Sequence, residues 1–371
     1  MAERGTRQDG TMARLEGLGQ RDRRSTPWSP VIDPRALERE IRIDGTAPDD
    51  VVQATSPEDE RRHAWLRRYA EGADGPGLYR PEIIADEPMI ERLRALKTEV
   101  PNGAAVIEVV ERAALLSHRV HAPLRVLPMV VLGGPGVGKT RLARRLAEVL
   151  RSDLTVIDGG STSDPGPITG NAPSYRGSGP GKVVSALLDG GTMSPVVLFD
   201  EIEKIFGYHE GVKPLNALLP LLEPMTARSF TDEYVGLSAN ASGVIWICTA
   251  NDISGLPSPL LDRVIVIDMP GLGRVELRRA MQRLLGELLA EAGLPAAELD
   301  GPALTALGSV GLRGARRCLS LALGPCLKAG RSAPNAADIA GAIPLVRRPT
   351  RRTRRQPPAR RAPVGFVHFG A

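Results

Sequence analysis

Between residues 128 and 151 the sequence runs from a short apolar segment, Pro128-Met-Val-Val-Leu132, through the octapeptide Gly133-Gly134-Pro135-Gly136-Val137-Gly138-Lys139-Thr140, into a stretch with Leu142, Leu146 and Leu150 at helical spacing. A buried strand that feeds a glycine-rich turn and then a helix leaves few folds open. The octapeptide fits G-x-x-x-x-G-K-[ST]. Its glycines let the backbone curl until the N–H groups surround phosphate oxygens, and the helix N-terminus adds a partial positive charge. Lys139 is expected at the β- and γ-phosphates and Thr140 at a Mg²⁺ ion. Lysine usage weighs against a mere glycine-rich turn. The 48 basic residues comprise six lysines and 42 arginines, and three of the six lysines, Lys139, Lys182 and Lys204, lie in motif-like segments. In a chain that writes its positive charge as arginine, this placement points to a need for the compact ammonium itself.

Further apolar runs follow at Leu154–Ile157, Val196–Phe199, Val244–Thr249 and Val264–Ile267, separated by helical patterns. Strands alternating with helices predict a parallel, doubly wound sheet that binds its ligand at the C-terminal strand ends. Two of these runs end in polar groups. Val196-Val-Leu-Phe199 leads into Asp200-Glu201, where Asp200 is placed to hold Mg²⁺ and Glu201 to polarise an attacking water. The run from Val244 to Thr249 ends at Asn251, whose amide can reach a γ-phosphate or the water, although asparagine at a strand end is more often a turn residue.

On either side of this core the pattern is helical. Residues 1–80 are rich in Arg, Asp, Pro and Gly and read as largely flexible, with a short helix near Leu37–Ile41 and a polar helix at Pro57–Ala70. Helices are expected at Glu87–Lys97 and Ala104–Arg119, the second with an apolar face of Val106, Val109, Val110, Ala113, Ala114 and Leu116, so residues 81–126 read as a helical linker. Beyond Pro270 a run from Val275 to Leu289 opens an all-helical region that extends to about residue 346. Residues 347–371 contain eight arginines between Arg347 and Arg361, and removing these from the formal charge of +5 leaves −3 for the rest of the chain. This proline-broken basic tail reads as disordered and suits either nucleic acid or simple solubilisation. No run approaches the length of a membrane span, no apolar leader follows Met1, and the three cysteines lack framework spacing, so a reducing cytoplasm is the expected location.

Taken in order, GGPGVGKT, Ser174–Lys182 (SYRGSGPGK), VVLFDEIEK, Phe230–Tyr234 (FTDEY), CTAN, Leu256–Arg263 (LPSPLLDR) and Gly311–Arg317 (GLRGARR) resemble the AAA+ ATPases, and more closely the ATPase module of Lon proteases. The likeness runs from about Leu127 to Leu319. It implies a P-loop NTPase core over residues 127–270 and a helical lid over 271–346. By the same resemblance Asn251 falls on the sensor-1 position, Arg263 on the arginine finger that completes a neighbouring subunit's site, and Arg313 on sensor 2. Tyr175 falls on the pore-loop aromatic that grips a polypeptide, with Arg176 where the family usually has an apolar side chain, and Phe206–Gly211 could face the same pore. A homo-hexameric ring is implied. The segments before residue 80 and after the lid are too short for Lon's substrate-recognition and protease domains, so no protease activity is expected.

Three functions fit these residues. The leading one is an ATP-hydrolysing remodeller that pulls on a protein client through Tyr175. The second is a nucleic-acid-associated ATPase that uses the arginine tail and the Tyr175–Arg176 pair. The third is an ATP-dependent switch or scaffold that recruits a separate effector.

Overall fold

The computed structural model describes residues 26–42, 56–70, 77–175, 177–207 and 212–346. Five strands, β3 (Met129–Leu132), β4 (Leu154–Asp158), β5 (Val196–Asp200), β8 (Ile245–Ala250) and β9 (Ile265–Asp268), form one sheet in the order β4-β5-β8-β3-β9, with every neighbouring pair parallel. Each strand lies within one residue of the apolar run that predicts it. The central strands are apolar on both faces because both faces are covered. Val130, Val197, Phe199, Trp246 and Cys248 point into one core, and Met129, Val131, Val196, Leu198, Ile245 and Ile247 point into the other. β8 is inserted between β5 and β3, so the C-terminal ends of these three strands lie side by side.

The chain divides into two compact units, up to Gly273 and from Arg274 onward. In the first unit the expected boundaries near residues 80 and 126 mark no division. Helices Glu87–Glu99 and Ala104–Val120 cover one sheet face, where Ile90, Leu93, Ile107 and Val110 share a core with Met129, Val131, Leu142 and Leu146. The segment read as a linker is therefore a layer of the domain. Its buried helical face is centred on Val106, Ile107, Val110 and Ala114, whereas Leu116, placed on the apolar face from sequence, is 64% exposed. An unbroken apolar stretch such as Ala113–Leu116 does not reveal which side packs.

In the described part of residues 1–80 both expected helices are present, at Pro34–Arg42 and Pro57–Ala70, but they are packed into the domain. β1 (Trp28–Pro30) pairs antiparallel with β2 (Tyr79–Pro81); Val31 and Ile32 just after β1, with Leu37 and Leu66 of helices Pro34–Arg42 and Pro57–Ala70, enter the core on the other sheet face. A second antiparallel pair, β6 (Phe230–Thr231) with β7 (Ser238–Ala239), joins this layer through an Ile32–Ala239 bridge. These apolar residues are too sparse to show periodicity, and their partners lie some 200 residues along the chain.

The second unit has helices Arg274–Glu291, Gly301–Leu307, Gly311–Lys328 and Ala336–Val346 around a core that includes Met281, Leu285, Leu307, Cys318, Leu319 and Ile339. Asp300 caps the second of these helices by accepting from Ala303 N at 2.7 Å. The three cysteines are free and buried. Among the described residues no helix is long and apolar enough to cross a membrane.

Candidate nucleotide-binding site

β3 ends at Leu132, and the loop that follows is gripped by both neighbouring strands: Gly133 N donates to Ala250 O at 3.1 Å and Met269 N to Leu132 O at 2.6 Å. A Cβ on Gly133 would lie 2.4 Å from Met269 O, so only glycine lets the chain pass. Gly138 has φ +107 and leads directly into the helix Lys139–Leu150, whose start receives no side-chain cap. Uncapped N–H groups at a helix start, below a glycine turn, form a cradle for an anion. From the short 3-10 turn Pro101–Gly103, Asn102 steadies the loop by donating to Val137 O at 3.1 Å and Pro270 O at 3.0 Å.

The residues expected to hold phosphate and metal converge here. Lys139 is 8% exposed, and its Nζ donates to Gly133 O at 2.5 Å, Gly134 O at 3.2 Å and Asn251 Oδ1 at 3.0 Å. Thr140 Oγ1 donates to Asp200 Oδ2 at 3.1 Å, and Thr249 Oγ1 donates to Asp200 Oδ1 at 2.5 Å. Five side chains, from the ends of β5 and β8 and from the helix Lys139–Leu150, thus meet at the C-terminal edge of the sheet. A hydroxyl and a carboxylate in contact beside a backbone cradle are hard oxygen donors of the kind Mg²⁺ takes, so the residues fit that ion.

Glu201 follows Asp200 in a left-handed conformation with φ +54, an uncommon state for a residue with a side chain. Its N–H donates to Thr249 Oγ1 at 2.9 Å, and its carboxylate pairs with Lys204. That hydrogen bond holds the Lys204 ammonium above the usual lysine range.

Two residues in this network carry no expectation from sequence. Glu203 Oε1 accepts from Asn251 N at 3.1 Å and Asn251 Nδ2 at 2.7 Å, which turns the amide so that its Oδ1 faces Lys139. Thr249, fully buried, links Asp200 to the Glu201 backbone. The available signals were slight: a third carboxylate in Asp200-Glu201-Ile202-Glu203, and one hydroxyl at the end of an apolar strand.

Arg263 and Tyr175 make their named contacts outside this cluster. Arg263, just after the helix Ser258–Leu261, pairs through Nε with Glu223 Oε1 at 2.6 Å and donates from Nη1 to Pro259 O at 2.8 Å. Arg313 is exposed on the helix Gly311–Lys328 of the second unit. Tyr175 is 67% exposed in the loop between Gly170 and Gly181. Arg176, residues 208–211 of the second loop and the arginines from Arg347 to Arg361 lie outside the described residues.

Residues 129–270 match the model of the ATPase family associated with various cellular activities (AAA). This core is an AAA domain. The AAA region also carries the similarity to curated proteins. The chain is 38% identical over 186 residues to the Lon protease of Halothermothrix orenii, covering 50% of this chain and 24% of that one. It is 32% identical over 283 residues to the peroxisomal Lon protease homolog 2 of Arabidopsis thaliana, covering 73% of this chain and 31% of the relative. The alignments therefore span about a quarter to a third of these relatives' length. Among solved structures, a RuvB mutant of Thermotoga maritima aligns with a TM-score of 0.46 and 15% identity over 65% of this chain and 68% of that one.

Proposed function

We propose that the chain is the ATP-hydrolysing module of a ring-forming protein remodeller. The observation that carries ATP chemistry is the convergence of Lys139, Thr140, Asp200 and Asn251 on the glycine cradle. When ATP enters, Lys139 exchanges the Gly133 and Gly134 carbonyls for β- and γ-phosphate oxygens, a substitution that costs little because it remains hydrogen-bonded throughout. Magnesium, held by Thr140 and Asp200, would supply charge neutralisation on the phosphates. Glu201 accepts the proton of the attacking water once its carboxylate leaves Lys204. Asn251, with its amide turned by Glu203, orients the γ-phosphate.

Arg263 acts on a neighbouring subunit's nucleotide in this reading and must leave Glu223 to do so, which ties hydrolysis to assembly. Arg313, in the helical unit, is the sensor-2 residue in the same reading. Tyr175, exposed on a loop whose base is buried, is the contact for a protein client. No peptidase role is assigned to these 371 residues.

The test is the ATPase rate of the full chain alone, with a permanently unfolded protein, and with single-stranded DNA. Stimulation by unfolded protein that is lost in Tyr175→Ala supports the remodeller. Stimulation by DNA alone overturns it in favour of a nucleic-acid ATPase working through the Arg347–Arg361 segment. A rate indifferent to both leaves a nucleotide-dependent switch. Native mass spectrometry with ATP reads the ring, and a chain that stays monomeric removes the role given to Arg263.

A further inference from the structure

Among the described residues, segments 26–42, 56–70 and 77–81 make no named contact with the groups assigned to ATP chemistry, yet they bury charge in the domain. Arg62 is 9% exposed and donates to Val235 O from Nε at 3.0 Å and from Nη2 at 2.7 Å, while Nη2 also pairs with Glu40 Oε1 at 2.7 Å. Val235 lies in the turn between β6 and β7, where Gly236 has φ +70 and a Cβ would meet Arg62 Nη2 at 2.8 Å. The turn and the guanidinium are therefore built against one another.

The same turn holds both feet of the Tyr175 loop. The fully buried Asp232 accepts from Tyr234 N at 2.9 Å and Val235 N at 3.0 Å with Oδ1, and from Gly181 N at 2.7 Å with Oδ2. Next to it, Glu233 N donates to Thr169 O at 2.6 Å, and the loop neck is closed by Asn171 N to Gly179 O at 3.1 Å.

The helix Lys182–Asp189, which leaves the second foot, is held at its far end by the same N-terminal segment. Tyr69 OH donates to Asp189 Oδ1 at 2.5 Å. Arg80 donates to Gly190 O at 2.7 Å and also to Leu188 O. Trp65 packs edge-on against Tyr69 and Tyr234, with ring centroids 4.8 and 5.8 Å apart, and so joins the two anchor points.

We infer that segments 26–42, 56–70 and 77–81 form a strap that positions the Tyr175 loop, with Arg62 and Tyr69 as positioning residues. A loop with glycines at 170, 177, 179 and 181 has little stiffness of its own, and a side chain at its tip transmits force only as well as its base is held. The strap supplies that hold from both sides through charge-assisted bonds, buried at Arg62 and part-buried at Tyr69. This inference rests on the reading of Tyr175 as the client contact, and the test separates the two.

Tyr69→Phe removes one oxygen and keeps the aromatic packing, and Arg62→Met removes the guanidinium and keeps its stem. Both are compared with the wild-type full chain for basal ATPase rate, stimulation by permanently unfolded carboxymethylated lactalbumin, thermal midpoint, and amide exchange of peptides spanning residues 169–181 and 129–150. The expected result is a basal rate within about twofold of wild type, stimulation reduced about threefold or more, and faster exchange confined to 169–181. Wild-type exchange and stimulation in both variants would overturn the strap. So would faster exchange throughout 129–150 with a proportionate loss of basal rate, which is what a general stabiliser gives. Should Arg62→Met fail to fold, Tyr69→Phe decides alone. A wild-type chain that unfolded protein does not stimulate would refute the client reading, and the exchange data alone would then decide the strap.

Discussion

The chain has two glycine-rich loops at the heart of its AAA domain, Gly133–Gly138 and Gly170–Gly181, and they are held in different ways. The first is tied in part by its own sequence, with Asn102 and the flanking strands adding ties from farther off. Lys139 reaches back to carbonyls five and six residues away, and the strand before and the helix after fix its ends. The second is tied by residues far along the chain: Asp232 reaches Gly181 across 51 positions, and Arg62 reaches the supporting turn across 173. A loop that binds a ligand of constant shape can carry its own geometry. A loop whose tip works at a distance takes its stiffness from whatever packs beneath it.

Four substitutions break or sharpen that contrast, beginning with the largest effect. Glu201→Gln keeps the cradle and removes the base, so ATP turnover falls by about 10²- to 10⁴-fold while nucleotide affinity is retained. Single-turnover hydrolysis alongside a fluorescent-nucleotide titration reads both, and undiminished turnover would refute the role of Glu201. Lys139→Ala attacks the first loop through its own side chain. Nucleotide affinity falls by about 10- to 100-fold, the worth of a charge-assisted bond, and melting of the domain in the absence of nucleotide changes far less than binding. Loss of folding instead would show that the lysine acts as a structural staple.

Glu203→Gln probes a long-range tie that reaches the first loop indirectly, through the Asn251 amide that faces Lys139. It retains an oxygen for the Asn251 amide but loses the charge, so turnover falls by about tenfold with affinity nearly unchanged. A drop in affinity equal to the drop in turnover would place Glu203 in ground-state binding instead of amide orientation.

The smallest effect belongs to the second loop and is read through pH. Burial pushes the Asp232 carboxyl from 3.8 up to about 6, against the pull of three backbone N–H donors. Its folded pKa lies above its unfolded one, so its contribution to stability is complete below pH 3.8 and is lost as pH rises through about 6. Asp232→Asn removes this slope. Urea midpoints measured from pH 4 to 7 for both proteins give a difference that levels off above about pH 6, and parallel curves would exclude Asp232 as the titrating group.

The contrast between the loops also explains what could be read in advance. The parallel sheet was legible because strands covered on both faces must be apolar throughout, and such runs stand out wherever they occur. Lys139, Thr140, Asp200 and Asn251 were legible because each stands at a strand end or helix start, a place already marked by the run beside it. Glu203 and Thr249 escaped notice because their partners are chosen by how the ends of β5 and β8 lie side by side. Residues 1–80 read as largely flexible apart from helices near Leu37–Ile41 and at Pro57–Ala70, because charged side chains dominate them and hide that these helices pack into the core. Arg62 and Tyr69 are polar groups whose burial makes sense only beside Val235 and Asp189.

Sequence by itself therefore determined the nucleotide cradle, the two carboxylates after β5 and the alternation that makes the sheet, since each depends on neighbours within a few residues and on the period of apolar side chains. Tertiary structure alone decided that the N-terminal segments belong to the core, that Glu203 turns the Asn251 amide and that Asp232 and Arg62 brace the Tyr175 loop. A hydrogen bond between groups 173 residues apart leaves no period and no local pattern; it exists only once the sheet has brought its two ends together.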